Sequence, residues 1–111
     1  MKLNTDQAGS VSIVRVAEAR VMYPMLGDFS GAVAALVAAG RHNIVIDLTP
    51  VTYIDSAAIG CLMDLYRQAT QAKAILKLAG VQRRVETMLT LVGANQFMDI
   101  YADAAAAVKS F

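Results

Sequence analysis

At 111 residues the chain has the length of one domain, enough to bury a real core and too little for two. Its hydrophobic fraction of 57% and mean hydropathy of +0.48 exclude a disordered chain. A net charge of +1 argues against nucleic acid as partner, because neutralising phosphates takes a clustered basic surface, and Arg83-Arg84 is the only adjacent basic pair.

The N-terminus begins Met1-Lys2-Leu3-Asn4-Thr5-Asp6 and turns polar at once, without the apolar run of an export signal, so the expected location is the cytoplasm. A strand over Lys2 to Asp6 is predicted to pair, across the turn Ala8-Gly9-Ser10, with the β-rich, partly alternating run Val11 to Val16. Strand character is expected to reach about Val21, before Pro24 stops or restarts the chain. Phe29, Val33, Leu36 and Val37 have helical spacing, with Gly40 at the C-terminal stop. The charge-free stretch Phe29 to Gly40 falls well short of the roughly 20 apolar residues that cross a bilayer, which predicts a core helix and no direct membrane insertion.

Ile44-Val45-Ile46-Asp47-Leu48 reads as a central buried strand, bounded by Arg41-His42-Asn43 and Thr49-Pro50. A helix follows from near Asp55, its apolar face formed by Ile59, Leu62, Met63, Tyr66 and Ala69. Ala74 to Ala79 is a second buried strand, ended by Gly80. A third helix carries Val81, Val85, Met88, Leu89 and Val92 on one side and stops at Gly93. Gln96 to Tyr101 is predicted as a last short strand and Ala102 to Lys109 as a last helix. Alternation of strand and helix favours an α/β domain with helices packed on a sheet that is at least partly parallel.

Catalytic groupings are sparse. The single histidine, His42, lies in a polar connection with no second ligand at metal spacing, and the single cysteine, Cys61, has no histidine beside it and reads as a small packed hydrophobe. Phosphate loops of the GxxxxGKS or GxGxxG kind do not occur. Asp47 ends a buried strand as the phosphoacceptor of a receiver domain does. However, the acidic pair and the lysine after a later strand are missing, since Lys77 lies inside its strand. The expectation is a protein that is not an enzyme, with no catalytic residues, no cofactor and no metal.

The remaining feature is Val51-Thr52-Tyr53-Ile54-Asp55-Ser56-Ala57-Ala58-Ile59-Gly60, where a strand-like tail runs into Asp-Ser and then small residues, as a helix N-terminus does. One reading is structural: Asp55 caps and Ser56 opens the first turn. The other uses the same geometry, because free N–H groups and the positive end of the helix dipole accommodate a phosphate on Ser56. Small residues then let a partner backbone approach. Spacing alone does not separate the two.

These residues, with Asn43 to Leu48 before them, resemble the strand and Asp-Ser helix start of STAS domains, the anti-sigma factor antagonists of bacteria. Leu76 to Val81, Val85 to Leu91, Gly93, Phe97 and Tyr101 resemble the family's closing elements. The resemblance implies a single STAS domain over residues 1–111: a mixed β-sheet of four to five strands with about four α-helices packed mainly on one face. It implies an antagonist that, unphosphorylated, binds an anti-sigma factor serine kinase and is released when Ser56 is phosphorylated, with a serine phosphatase of the same pathway reversing the step. Asp55, Ser56, Ala57, Ala58, Ile59 and Gly60 would form the partner-binding segment, on a monomer or weak dimer. The alternative is a non-enzymatic subunit of a larger complex, such as a lipid-transport or stress-signalling scaffold, with Ser56 as a helix cap. Two departures stand out. The family has Gly where Ala58 stands, which makes the helix start bulkier. The glycine and acidic residues that often follow its second strand appear here as Glu18-Ala19-Arg20-Val21, then Met22-Tyr23-Pro24, on the same side as the docking surface.

Overall fold

The computed structural model describes Met1 to Phe111. Strands β1 (Leu3–Ala8) and β2 (Val11–Val16) form an antiparallel hairpin with Ala8 opposite Val11. β2 then pairs in parallel with β4 (Asn43–Asp47), β4 with β6 (Ile75–Ala79), and β6 with β7 (Ile100–Tyr101). The resulting mixed five-stranded sheet has the order β1-β2-β4-β6-β7. Two-residue strands β3 (Arg20–Val21) and β5 (Tyr53–Ile54) pair in parallel as a separate ribbon, Arg20 opposite Tyr53 and Val21 opposite Ile54.

Strand alternation sorts the central side chains onto two faces. Val14, Val16, Ile44, Ile46, Leu76 and Leu78 belong to the main core, where they meet Phe29 and Val33 of α1 (Leu26–Ala38), Leu62 and Leu65 of α2 (Ser56–Gln71), and Val85 and Leu89 of α3 (Arg83–Leu91). The opposite face, with Val11, Ile13, Val45 and Ala79, packs on Ala107 of the short helix α4 (Ala104–Lys109). Three helices thus cover one face and one covers the other, as expected of a STAS-like sheet. The second face also accommodates Lys77 in a buried strand: its Nζ donates to Ser110 O at 3.2 Å and to Ser110 Oγ at 2.7 Å, and lies 4.3 Å from the centre of the Phe111 ring.

Asp47 closes β4 as a polar group tied to nearby backbone. Its Oδ1 accepts from Thr49 N at 3.0 Å and from the Thr49 hydroxyl, and Arg15 Nε lies 3.7 Å from its Oδ2. Gly80, at φ +67°, presses on this turn, and a Cβ there would stand 2.2 Å from Thr49 Oγ1. Glycine is required at that position by both conformation and space.

The structure departs from the sequence reading at several points. The second strand ends at Val16, not near Val21: Ala17 to Ala19 leave the sheet, and Ala19 O instead accepts from Thr52 N at 2.7 Å, starting the β3/β5 ribbon. The predicted strand from Gln96 is a 3₁₀ turn, Ala94–Gln96, with pairing confined to Ile100–Tyr101. The last helix begins at Ala104, because the Asp103 side chain accepts from Ala106 N at 2.8 Å and caps it there. Val92, assigned to the apolar side of α3, is 54% exposed.

Candidate functional site

The start of α2 is set by one carboxylate. Asp55 has extended backbone (φ −95°, ψ 176°), its Oδ1 accepts from Ala58 N at 2.8 Å, and its carbonyl accepts from Ile59 N at 3.1 Å. It is therefore the N-cap, which leaves Ser56 as the first helical residue. The alternative in which Ser56 caps the helix is corrected by this geometry: the capping acceptor is Asp55, and Ser56 stands exposed one position later.

Asp55 is also tied to a second element. Its Oδ2 accepts from Tyr23 N at 3.1 Å, and its N–H points to Val21 O at 3.4 Å. Thr52 reinforces the junction, donating from both N and Oγ1 to Ala19 O, at 2.7 and 3.1 Å. The Arg20 guanidinium lies 5.3 Å from the centre of the Tyr53 ring. The β3/β5 ribbon thus brings the Val21 to Tyr23 segment against the start of α2, and Tyr23 projects there 74% exposed. The sequence reading names Tyr23 only as part of the departure Met22-Tyr23-Pro24, and not as a neighbour of the helix start. The only local signal was an aromatic residue before Pro24, and its partner Asp55 lies 32 residues away.

The six residues of the predicted docking segment separate by helical position. Ser56, Ala57 and Gly60 are exposed and Asp55 is half-buried, whereas Ala58 (1% exposed) and Ile59 (6%) point into the main core. The methyl of Ala58 therefore does not enlarge the outer surface of the helix start. The buried face of α2 consists of Ala58, Ile59, Leu62, Leu65 and Ala69, while Met63 and Tyr66, predicted as part of it, lie half-buried along its flank.

Ala57, Gly60, Cys61, Asp64, Leu65 and Gln68 line a shallow groove of about 330 Å³ against Ser30 of α1. Cys61 is half-buried there. Burial pushes its thiol pKa up, the nearby Asp64 carboxylate adds to this, and the Ser30 side chain opposes it. A raised pKa makes the thiol a poorer nucleophile. His42 is exposed in the turn before β4, and no three His, Cys, Asp or Glu side chains gather to hold a metal. No helix is long and apolar enough to cross a membrane.

A comparison with curated protein sequences gives no match. Among solved structures, an anti-sigma factor antagonist from Mycobacterium paratuberculosis superposes with a TM-score of 0.85 at 18% identity, over 98% of this chain and 92% of that one. The phosphorylated form of the Bacillus cell fate determinant SpoIIAA gives 0.75 at 11% identity, over 98% of both chains. A murine solute carrier 26 family anion transporter, in its inward-facing state, gives 0.80 at 17% identity over 95% of this chain, but only 18% of the transporter is matched. At these identities the likeness is one of fold. The family model described as the STAS domain matches residues 2–107, and on that match over nearly the whole sequence the chain belongs to the STAS domain family.

Proposed function

We propose that this STAS domain is a non-enzymatic anti-sigma factor antagonist whose binding to an anti-sigma serine kinase is ended by phosphorylation of Ser56. The observation that carries this reading is the division of labour at the helix start: Asp55 supplies the cap, so the exposed Ser56 hydroxyl is not committed to a helix N–H and is open to modification. The fold shared with anti-sigma factor antagonists, SpoIIAA in its phosphorylated form among them, supports it. In the transfer, Ser56 Oγ bonds to the γ-phosphorus of ATP as the bond from that phosphorus to the bridging oxygen breaks. ADP leaves, and the serine proton passes to a base of the kinase. A phosphatase reverses the state by adding water and releasing inorganic phosphate.

The outer surface of the helix start consists of Ser56, Ala57 and Gly60, with Asp55 beside them. Small side chains admit a partner backbone closely, and a new phosphate of about −1.5 to −2 charges beside the Asp55 carboxylate repels it. Ala58 and Ile59 act from beneath, holding the helix to the core. Incubation with ATP and a cognate anti-sigma serine kinase is expected to add one phosphate, which Ser56→Ala abolishes, while Ser56→Asp weakens kinase binding. An intact protein that stays unlabelled would refute the proposal.

A second reading is favoured by the fold shared with a segment of a much larger transporter: a STAS subunit docked permanently in a membrane complex. Co-purification with a transporter ATPase, unchanged by Ser56→Asp, would select it.

A further inference from the structure

The Asp55 carboxylate spends its two oxygens on two different elements: Oδ1 on Ala58 N within α2 at 2.8 Å, and Oδ2 on Tyr23 N at 3.1 Å, in the connection between β3 and α1. Both partners are donors, so the site requires an acceptor at each oxygen. Asparagine can keep the cap through its carbonyl oxygen, but then turns an NH₂ donor toward the Tyr23 N–H. The Tyr23 side chain, 74% exposed, has little packing to hold it, so its placement relative to Ser56 depends on the backbone, and Asp55 ties that backbone to α2.

Resting on the reading of Ser56 as a phosphoacceptor, we infer that Asp55 is a positioning residue that couples the phosphorylation state of Ser56 to Tyr23. Without phosphate, the clamp presents Tyr23 and Ser56 to the partner kinase as one preorganised surface, so little ordering cost falls on binding. A phosphoryl group on Ser56 acts on the clamp from two directions. Its oxygens compete with Asp55 for the N–H groups of the first helical turn, Ala58 N among them, and its charge repels the adjacent carboxylate. An Asp55 side chain that gives up Ala58 N and turns away also releases Tyr23 N. Phosphorylation then weakens docking twice, by charge at Ser56 and by freeing the aromatic residue beside it.

Amide hydrogen exchange followed by NMR on the full chain tests the coupling with three proteins: the wild type, Asp55→Asn, and the chain with phosphoserine incorporated at position 56 during translation. Loss of one charge-assisted hydrogen bond at a partly exposed site predicts about tenfold faster exchange of the Tyr23 amide in both altered proteins. Amides of β4 are expected to stay within about twofold of the wild type, as they have no part in the clamp. The inference is overturned if Tyr23 keeps its wild-type protection in either altered protein. It is equally overturned if β4 amides accelerate in parallel, since the effect is then global loosening. Because the phosphate is built in, failure of kinase labelling refutes the phosphoacceptor reading, while the exchange result separately decides whether the clamp responds to charge at Ser56.

Discussion

Replacing Ala58 by Gly restores the residue common at this position in STAS domains, and the structure separates its effects on stability and on binding. The Ala58 side chain is 1% exposed and packs in the main core, at the third residue of α2. Deleting its methyl forfeits about 0.8 kcal/mol of burial, and glycine in a helix costs up to about 1 kcal/mol more, less so in the first turn. Together these predict a loss of about 1.5 kcal/mol. For a chain of this size that lowers the melting temperature by roughly 6 °C. Urea denaturation monitored by circular dichroism is the assay, with the midpoint shifted and the slope unchanged. Because the methyl faces away from the docking surface, affinity for the partner kinase is expected to stay within about twofold, as 1.4 kcal/mol would be needed for a tenfold change. Ala57→Leu, on the exposed side of the same turn, is the converse: little change in stability and a large loss of binding. Binding that tightens severalfold on Ala58→Gly, or stability that does not fall, would refute the inward placement of Ala58.

Three further experiments probe the frame of the domain. Gly80→Ala is expected to cost about 2 to 3 kcal/mol, combining a left-handed backbone with displacement of the Thr49 hydroxyl from Asp47; in a Thr49→Ala background the cost should fall, since the 2.2 Å contact is gone and only the 3.1 Å contacts with Asp47 Oδ1 and Thr49 Cα remain, and equal costs in both backgrounds by chemical denaturation would contradict the geometry. Asp55→Ala should lose about 1 to 2 kcal/mol through the cap and the Tyr23 hydrogen bond together, whereas Asp55→Asn, a comparable N-cap that forfeits only the bond to Tyr23, should lose less; the ratio of the two by thermal melting is the check. Cys61 should be alkylated by iodoacetamide more slowly in the folded protein than in urea near neutral pH, since burial raises its thiol pKa. With a folded pKa above the unfolded one, the stability this thiol contributes is complete below the unfolded value and is lost as pH rises through the folded value. Equal alkylation rates would exclude the raised pKa.

The central strands and the α2 start were legible because local chemistry and tertiary fate agree there. Ile44 to Asp47 and Ile75 to Ala79 are short β-branched or apolar runs bounded by polar turns, and an Asp-Ser pair before small residues announces a helix start. What the sequence hid depends on contacts distant along the chain. Arg20–Val21 and Tyr53–Ile54 are strands only because they pair with each other, and two residues carry no periodicity. The α2 apolar face reads with Met63 and Tyr66 and without Ala58 because the two larger side chains fall at three- and four-residue spacing from Ile59 and Leu62, although the small alanine lies deeper. The Asp55–Tyr23 hydrogen bond, spanning 32 residues, has no sequence signature.

The order Asp-Ser at residues 55 and 56 has a consequence that neither residue carries alone. A serine at the N-cap commits its hydroxyl to a helix N–H, and modifying that oxygen removes the cap it provides. Placing the acceptor duty on Asp55 frees the next hydroxyl while keeping it within the field of the same helix terminus, where added negative charge is tolerated. The carboxylate that makes this possible is also the group nearest in sequence to the proposed phosphate, which would repel it most strongly. Its second hydrogen bond leads outward, to Tyr23, and not into the sheet. Ile59 and Leu62 hold the body of α2 to the core independently of the cap. Under the proposed phosphorylation of Ser56, the local design therefore lets the surface change state while the sheet beneath it stays in register.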